Sequence, residues 1–440
     1  MDAAARAVRV LFGVMALMSL LVLGGCVGRA LDQQGAQGGQ DTAAVGPAAT
    51  AEATHDLGAD GLRDGVWLTF VGSPVFSSPE SLAAALTQIR NAGFDTVYPV
   101  VWNKGFTTFP SPSLERFGIP AIDPSFAGRD PLKEIIDANR RLGLRLAVIP
   151  WFEYGLKVVF GPASGPGMQP SADAARRYPL AHKAREQGLL LKRSDGSDSW
   201  YDKVSRHSFG FLNPADPRVA ELLGGIIGDL SDRYAIDGLQ IDDHFSVHKE
   251  FGYNDDVMRG FEARLAAKGH ERLFLRAQGL TTRDSEIRDG LWRDYRSDLV
   301  AELAVKLKDR LPRRLGFIYQ ISPAGDISFS LLTWLQDWRA LVHDKHVQEF
   351  VIQAYRDRLD TFVRLIDHES VKVSRSRAIA QAGLFAGYKG EVIRETSLLV
   401  SQIKAARARN MGVSIFFYDT LFTGEPGRAE TIRQALSSRN

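Results

Sequence analysis

The chain has 440 residues, of which 45% are hydrophobic and 24% are charged, a balance typical of a globular protein. Its 54 basic and 52 acidic residues leave a formal net charge of +2, so no strong basic field exists and nucleic acid is excluded as a partner. The single cysteine, Cys26, excludes both a disulfide framework and thiolate catalysis in the rest of the chain.

The N-terminal residues 1–25 are predicted to be a lipoprotein signal peptide. Arg6 and Arg9 precede an apolar run over 11–23 that is too short for a comfortable membrane span. The run ends in Leu-Gly-Gly followed by Cys26, which resembles a bacterial lipobox. The alternative is an ordinary secretory signal with an incidental cysteine.

The lipobox resemblance implies that Cys26 becomes the lipidated N-terminus. A diacylglyceryl group with a third acyl chain anchors a protein stably to a membrane. The next residue, Val27, is not acidic, which resembles the signal for retention in the outer membrane. We therefore expect a lipid-anchored envelope protein, on the outer membrane and facing the periplasm.

Residues 26–60 are predicted to be a flexible tether. They are rich in Ala, Gly, Gln and Thr and have few large apolar side chains, so they cannot bury a core. The remaining residues, 61–440, have the length of one (β/α)₈ barrel with insertions.

Apolar, β-favouring runs alternate with helical runs over 61–440, which predicts βα units and a parallel sheet. The predicted strands are 65–70, 96–103, 145–154, 238–245, 315–322, 349–356, 377–386 and 412–421. The predicted helices are 80–92, 130–142, 216–233, 293–311, 328–341, 358–368, 395–409 and 428–437. Eight pairs favour an α/β fold of the TIM-barrel type. A doubly wound open sheet is the alternative, and it is weakened because no Gly-rich phosphate loop follows the first strand.

Two long loops interrupt this alternation, over 155–212 after the third strand and 246–290 after the fourth. Both leave the carboxyl end of a strand, so both should stand over the same mouth of the barrel. Long loops in a compact domain are usually functional or disordered, and these two are predicted to form walls of a substrate groove.

The stretch 238–245, GLQIDDHF, has the character of a buried strand that ends in charge. Ionisable groups at the exit of an apolar strand are costly to bury unless they are paired or used, and catalytic groups of parallel barrels lie at that end. We interpret Asp242 and Asp243 as the centre of a carboxylate active site. Strand alternation would point their side chains to opposite faces. Alternatively, the two aspartates have a structural role, in which they cap the next helix or form a salt bridge.

Glycosidic bond cleavage requires two carboxyl groups, one protonated and one ionised. Asp242 is the candidate for the ionised partner. Glu153, at the end of the third strand among aromatic residues, is the first candidate for the general acid, and Asp357 and Asp419 are its rivals. Glu153 could instead be a structural partner of Arg356 or Lys157.

The strand ends also carry aromatic, amide and cationic side chains suited to stacking on sugar rings and to binding hydroxyl groups. The predicted substrate-binding residues are Tyr98, Trp102, Asn103, Trp151, His244, Tyr253, Gln353, Tyr355, Arg356 and Tyr418.

A metal site is the other interpretation of the acidic stretch. His244 and His248 are four residues apart and follow the two aspartates, so they could bind a divalent metal, as in a deacetylase. No second His-rich segment lies at a predicted strand end, and we predict catalysis without a metal or another cofactor.

Long stretches of the chain resemble the bacterial glycosyl-hydrolase-like family 10. They are GVWLT (65–69), DTVYPVVWNKGFTTFPS (95–111), RDPLKEIIDANRRLGLRLAVIPWFEYG (129–155), LNPADPRV (212–219), DGLQIDDHF (237–245), FGY (251–253), WLQDW (334–338), FVIQAYR (350–356) and GVSIFFYDTL (412–421).

This resemblance implies a (β/α)₈ barrel distantly related to the α-amylase and α-galactosidase barrels, in which the aspartate on strand four is the nucleophile. Asp242 is the matching residue. WFEYG and QIDDH are the signature motifs of the family that the chain resembles, which implies functional roles for Glu153, Asp242 and Asp243. The α-amylase pattern has an arginine two residues before the nucleophile, where this chain has Gln240.

The sequence therefore predicts a lipid-anchored, retaining glycoside hydrolase that acts on a polysaccharide or oligosaccharide of the cell envelope or of exported material. A glycan-binding lipoprotein without catalysis is the alternative from another class, and a metal-dependent polysaccharide deacetylase is a further one.

Overall fold

Parallel strands, each followed by a helical segment, close into a barrel. The computed structural model describes residues 61–162, 172–203, 205–388 and 392–437. Within these residues the barrel strands are β1 (Gly65–Leu68), β2 (Thr96–Asn103), β3 (Ala147–Val148 and Trp151–Phe152), β4 (Gly238–Asp242), β5 (Ile318–Ser322), β6 (Glu349–Gln353), β7 (Ile379–Phe385) and β8 (Gly412–Phe416). Each strand pairs in parallel with its neighbour, and β1 pairs with both β2 and β8. The predicted (β/α)₈ barrel is confirmed.

The helices that surround the barrel are α1 (Pro79–Asn91), α2 (Pro131–Arg141), α3 (Pro217–Arg233), α4 (Thr282–Lys308), α5 (Trp338–His343), α6 (Leu359–Ile366), α7 (Thr396–Arg407) and α8 (Arg428–Ser437). Proline at N1 and a capping side chain start α1 and α2, where Ser78 and Asp130 accept hydrogen bonds from backbone N–H groups of the first turn. The other helices are Pro112–Arg116, Ala172–Arg177, Pro179–Glu186, Asp255–Ala266, Ile327–Leu332, Glu369–Arg375 and Tyr418–Phe422, and 3₁₀ turns span Pro124–Phe126 and Glu271–Leu273.

Several strands end earlier than the apolar runs predict. The run at 145–154 is split at Ile149 and Pro150, because proline has no N–H to give to the ladder. The run at 238–245 ends as a strand at Asp242, and the run at 412–421 ends at Phe416 and turns into a helix. The positions that follow therefore lie beyond the strands, in loops or in the helix Tyr418–Phe422.

The two predicted long loops carry structure of their own. The loop after β3 forms an antiparallel sheet of Lys157–Pro162, His207–Phe211 and Trp200–Asp202. The loop after β4 contains the helix Asp255–Ala266, and α4 begins at Thr282, earlier than its predicted start at 293. Strand Phe106–Thr107 pairs with β2, and Gly387–Tyr388 pairs with Val392–Ile393.

The inside of the barrel contains a chain of buried hydrogen bonds. Trp67 Nε1 donates to Gln240 Oε1 at 2.7 Å, and Gln240 donates in turn to Gln320. Gln320 Nε2 donates to Glu349 Oε2 at 2.8 Å, and the same carboxylate accepts from Arg63 Nε at 3.0 Å. Because every member has a partner, this polar interior is satisfied and fixes the position of Trp67 near the barrel mouth.

The predicted signal peptide, lipidated Cys26 and tether lie outside the described residues. Among the described residues, no helix is both long and apolar enough to cross a membrane.

Candidate active site

A pocket opens at the carboxyl ends of the barrel strands. It is narrow, with about 330 Å³ of non-atom space when the solvent at its mouth is included. Its lining combines acidic, amide and aromatic side chains: Trp67, Trp151, Glu153, Asp242, Asp243, His244, Ser322, Gln353, Tyr355 and Phe416. The three acids predicted to carry the chemistry therefore share one cavity, at the end of the barrel where enzymes of this fold do their chemistry.

Asp242, the last residue of β4, is 2% exposed. Trp151 Nε1 donates to its Oδ2 at 2.9 Å, and the backbone N–H of His244 donates to its Oδ1 at 2.9 Å. Burial raises the pKa of Asp242 to about 6, with the charge of Asp243 as the next cause. A carboxylate that accepts two hydrogen bonds is held in one orientation and is ionised at neutral pH.

Glu153 follows β3 and is 8% exposed. Its side chain accepts a hydrogen bond from Asn103 Nδ2 at the end of β2. Burial raises the pKa of Glu153 to about 7, and the charge of Asp242 contributes to the rise. Among the described residues no ion pair joins Glu153 to Arg356 or Lys157, so Glu153 has the environment of a proton donor rather than of a structural salt-bridge partner.

Asp243 lines the same cavity as Asp242, and the prediction that their side chains point to opposite faces is wrong. Alternation requires an extended strand, but β4 ends at Asp242 and the chain turns at Asp243. Gln353, the last residue of β6, donates from Nε2 to Asp243 Oδ1 at 2.8 Å. Asp243, which follows β4, is therefore held in position by a side chain from β6.

His244 joins the acids to the loop after β3. Its ring stacks on Tyr154 with centroids 4.8 Å apart and planes 8° apart. Its Nδ1 lies 3.2 Å from the backbone oxygen of Glu153, 3.7 Å from Asp242 Oδ1 and 3.9 Å from Asp243 Oδ1. Burial lowers the pKa of His244, but the charge of Asp243 and the interactions with Asp242 outweigh it, so the pKa is raised overall.

A possible metal site is formed by Asp242, Asp243 and His244. Each contributes one ligand atom, and the three atoms lie within 4.8 Å of one another, close enough to hold a metal ion. The second histidine of the predicted metal set, His248, lies elsewhere: it stacks on Trp200 with centroids 5.4 Å apart, and burial lowers its pKa to about 4. Two carboxylates and one imidazole suit a divalent cation, so the chemistry of these donors is compatible with the metal interpretation.

Four of the predicted substrate-binding side chains line the pocket: Trp151, His244, Gln353 and Tyr355. Trp151, Phe416 and Trp67 form an aromatic floor, with ring centroids 6.2 to 6.5 Å apart. Tyr355 packs on Phe416 at 6.1 Å. Aromatic and acidic side chains therefore line the same pocket, a combination suited to binding a sugar ring.

The residues predicted on β2 do not line the pocket. Tyr98 is fully buried inside the barrel, where its hydroxyl donates to Gln381 Oε1 at 3.0 Å. Trp102 is also fully buried and stacks on Phe152 with centroids 6.1 Å apart. Asn103 does not line the cavity, but it donates a hydrogen bond to Glu153, which does.

The other predicted residues outside the lining lie on surrounding loops and helices. Tyr253 packs on Trp292 with centroids 5.7 Å apart. Arg356 donates to the backbone oxygen of the preceding residue at 3.2 Å. Tyr418 donates its hydroxyl to Gln88 Oε1 on α1 at 3.1 Å.

Neither rival for the general acid lines the pocket. Asp357 is exposed beyond the end of β6. Asp419 lies in the helix Tyr418–Phe422, because the chain leaves the strand at Phe416. Glu153 is therefore the remaining candidate among the acids considered for proton donation.

Sequence reasoning missed Trp67 and Phe416, both of which line the pocket. The runs at 65–70 and 412–421 predict strands that continue past these positions. The strands end at Leu68 and Phe416, so both side chains lie at the carboxyl ends. The signal that could have placed them is local: each strand loses its apolar character two residues later, at Thr69 and Tyr418.

The fold and the pocket define a (β/α)₈-barrel protein with a carboxylate site at the carboxyl ends of its strands. The chain belongs to the glycosyl hydrolase-like 10 family, whose model matches residues 62–404. The resemblance drawn from its motifs is confirmed. No curated protein matches the chain.

Solved structures with similar folds include glycoside hydrolases. The PgaB (BpsB) glycoside hydrolase domain from Bordetella bronchiseptica is 13% identical with a TM-score of 0.55, over 86% of this chain and 99% of that one. The catalytic domain of β-amylase from Paenibacillus polymyxa is 10% identical with a TM-score of 0.56, over 86% and 98%. α-L-Fucosidase isoenzyme 2 from Paenibacillus thiaminolyticus is 13% identical with a TM-score of 0.53, over 86% and 49%. At these identities the similarity concerns the fold alone.

Proposed function

We propose that this protein is a retaining glycoside hydrolase that cleaves a polysaccharide or oligosaccharide of the cell envelope or of exported material, anchored to the membrane through Cys26. The observation that carries the proposal is the pairing of Asp242 and Glu153 in one buried pocket. Their pKa values are raised to about 6 and about 7 respectively. Two carboxyl groups in one site are what glycosidic bond cleavage requires.

In the first step Glu153 donates its proton to the glycosidic oxygen, and the bond between that oxygen and the anomeric carbon breaks. The ionised Asp242 attacks the anomeric carbon and forms a glycosyl–enzyme ester. In the second step the Glu153 carboxylate accepts a proton from water, whose oxygen displaces Asp242 from the anomeric carbon. The product keeps the anomeric configuration of the substrate, and both carboxyl groups return to their starting states.

The surrounding residues support these roles. Trp151 donates to Asp242 at 2.9 Å and holds the carboxylate ionised and oriented. Asn103 donates to the Glu153 side chain and fixes its direction. Asp243, held by Gln353, adds a negative charge beside the anomeric carbon, where positive charge develops in the transition state.

The test is release of reducing ends from a panel of envelope and exported polysaccharides, including peptidoglycan strands. Wild type is compared with Asp242→Asn and Glu153→Gln, each with and without a chelator. Turnover that is lost in both variants and survives the chelator supports the proposal. Binding without turnover in wild type would instead make the protein a glycan-binding lipoprotein, the alternative from a different class.

A metal-dependent polysaccharide deacetylase is the second candidate, because the ligand atoms of Asp242, Asp243 and His244 cluster within 4.8 Å. In that case these residues would hold the cation, which would activate a water molecule for attack on an acetyl group. Acetate release that a chelator abolishes, without any release of reducing ends, would favour this function over glycosidic cleavage.

A further inference from the structure

Tryptophan exposure in this protein is concentrated at one place. The chain has seven tryptophans, all within the described residues. Five of them are buried, with exposures of 5% or less: Trp67, Trp102, Trp151, Trp292 and Trp338. The other two described tryptophans, Trp200 and Trp334, are partly exposed, and their ring centroids lie 6.5 Å apart.

These two side chains come from different loops on the same side of the barrel. Trp200 begins a strand in the sheet that follows β3. Trp334 lies after β5, between the helices Ile327–Leu332 and Trp338–His343. The loop after β4 joins them: His248 stacks on Trp200 with planes 5° apart, and its centroid is 5.2 Å from that of Trp334. We call Trp200, Trp334 and His248 the tryptophan platform.

The tryptophan platform is adjacent to the catalytic pocket. The Lys157 ammonium lies 5.7 Å from the ring centroid of Trp334 and 5.9 Å from that of Tyr154. Tyr154 in turn stacks on His244, which lines the pocket. The buried side chains of Lys157 and Tyr154 therefore connect the platform to the residues that carry the proposed chemistry, so the platform and the pocket are neighbours at the same end of the barrel.

The three rings of the platform carry no charge. Burial lowers the pKa of His248 to about 4, so its ring is neutral at pH 7. The rings of Phe209 and Phe211, which pack against the two tryptophans, are fully buried. The phenylalanines thus form the core beneath this site, and the tryptophans form its solvent-facing part. Large amphipathic rings left partly in water are typical of binding surfaces.

We propose that the tryptophan platform is a second sugar subsite, which binds the pyranose that follows the cleaved unit along the glycan. Its ligand is a pyranose, whose C–H groups give it an apolar face for stacking on an aromatic ring and whose hydroxyl groups remain at the edge. The inference rests on the proposed function in that it takes the pocket as the place where the neighbouring sugar is bound.

The test compares Trp200→Ala and Trp334→Ala with wild type on two substrates, an oligosaccharide of at least four units and an aryl glycoside of one sugar. The expected result is about tenfold higher KM for the oligosaccharide in each variant, with KM and kcat for the aryl glycoside unchanged. Phe317→Ala is the matched control, since it removes a partly exposed ring before β5, at the opposite end of the barrel. Equal losses on both substrates, or none on the oligosaccharide, would overturn the proposal.

The subsite can also be tested without turnover. Oligosaccharide binding to Asp242→Asn is measured by calorimetry, alone and combined with Trp200→Ala or Trp200→Phe. Binding that the alanine weakens and the phenylalanine largely preserves supports the subsite, even if no hydrolysis is found and the catalytic proposal fails. Binding that Trp200→Ala leaves unchanged refutes the subsite while leaving the catalytic proposal intact.

Discussion

Replacing Glu153 with glutamine should make the folded protein more stable at alkaline pH, because the substitution removes a charge that the pocket disfavours. The pKa of Glu153 is raised from 4.5 to about 7, with burial as the largest cause. Between these values the folded state holds a proton that the unfolded state has lost. Stability from this group is thus fully present below pH 4.5 and is lost as the pH rises through 7.

The size of the effect follows from the shift. A difference of about 2.5 pKa units at about 1.36 kcal/mol each is roughly 3 kcal/mol. Glutamine does not titrate, and its side-chain oxygen can still accept the hydrogen bond from Asn103. The free energy of unfolding of Glu153→Gln, relative to wild type, should therefore increase by roughly 3 kcal/mol between pH 4 and pH 8.

Urea denaturation at pH 4, 6 and 8 measures this difference. Glu134→Gln is the matched control. Glu134 lies on α2, and its carboxylate accepts hydrogen bonds from Arg129, so its charge stabilises the folded state. That variant should lose up to about 1 kcal/mol at pH 8. Parallel pH profiles for wild type and Glu153→Gln, or a loss of stability at pH 8, would refute the view that Glu153 is a desolvated proton donor.

Three further predictions concern the site and its anchoring. Trp151→Phe removes the 2.9 Å hydrogen bond to Asp242; a bond to a charged group is worth about 1.5–3 kcal/mol, so the acid limb of the pH–rate profile should move up by about one to two pH units. Gly155→Ala should lower kcat at least tenfold, because a Cβ there would lie 2.8 Å from the Cα of Phe245 and push apart the segments that carry the two carboxyls proposed to be catalytic. Cys26→Ala should move the protein from the membrane fraction to the soluble fraction, measured by detergent partitioning.

Each of these has a result that would contradict it. If the acid limb of the pH–rate profile is unchanged in Trp151→Phe, the ionisation of Asp242 does not determine that limb. Gly228→Ala is the control for Gly155→Ala, since a Cβ at Gly228 in α3 meets nothing within 4 Å and should stabilise the helix by about 1 kcal/mol. Membrane retention of Cys26→Ala would argue against the lipid anchor.

The barrel was predictable because its signal is local. Each βα unit has an apolar run and a helical run, and proline starts α1 and α2 at their predicted positions. Asp242, Asp243 and Glu153 were also predictable as a group, since acids after buried strands of a parallel barrel meet at one end. All three line one pocket.

What could not be predicted depends on where strands stop and on contacts between distant segments. Composition cannot distinguish a strand residue from the first loop residue after it, and a shift of one residue reverses the face. That is why Asp243 was placed on the wrong side. The meeting of Trp200 and Trp334 depends on two loops separated by more than a hundred residues, and no local pattern encodes it.

The central claim is that Glu153 acts as the general acid and Asp242 as the nucleophile. The most direct measurement is the hydrolysis of two substrates by Glu153→Gln and Asp242→Asn: a natural oligosaccharide and an aryl glycoside whose leaving group needs no protonation. The account predicts that Glu153→Gln loses the oligosaccharide activity but still releases the aryl group, whereas Asp242→Asn loses both. Aryl release that survives in Asp242→Asn and is lost in Glu153→Gln would contradict the assignment.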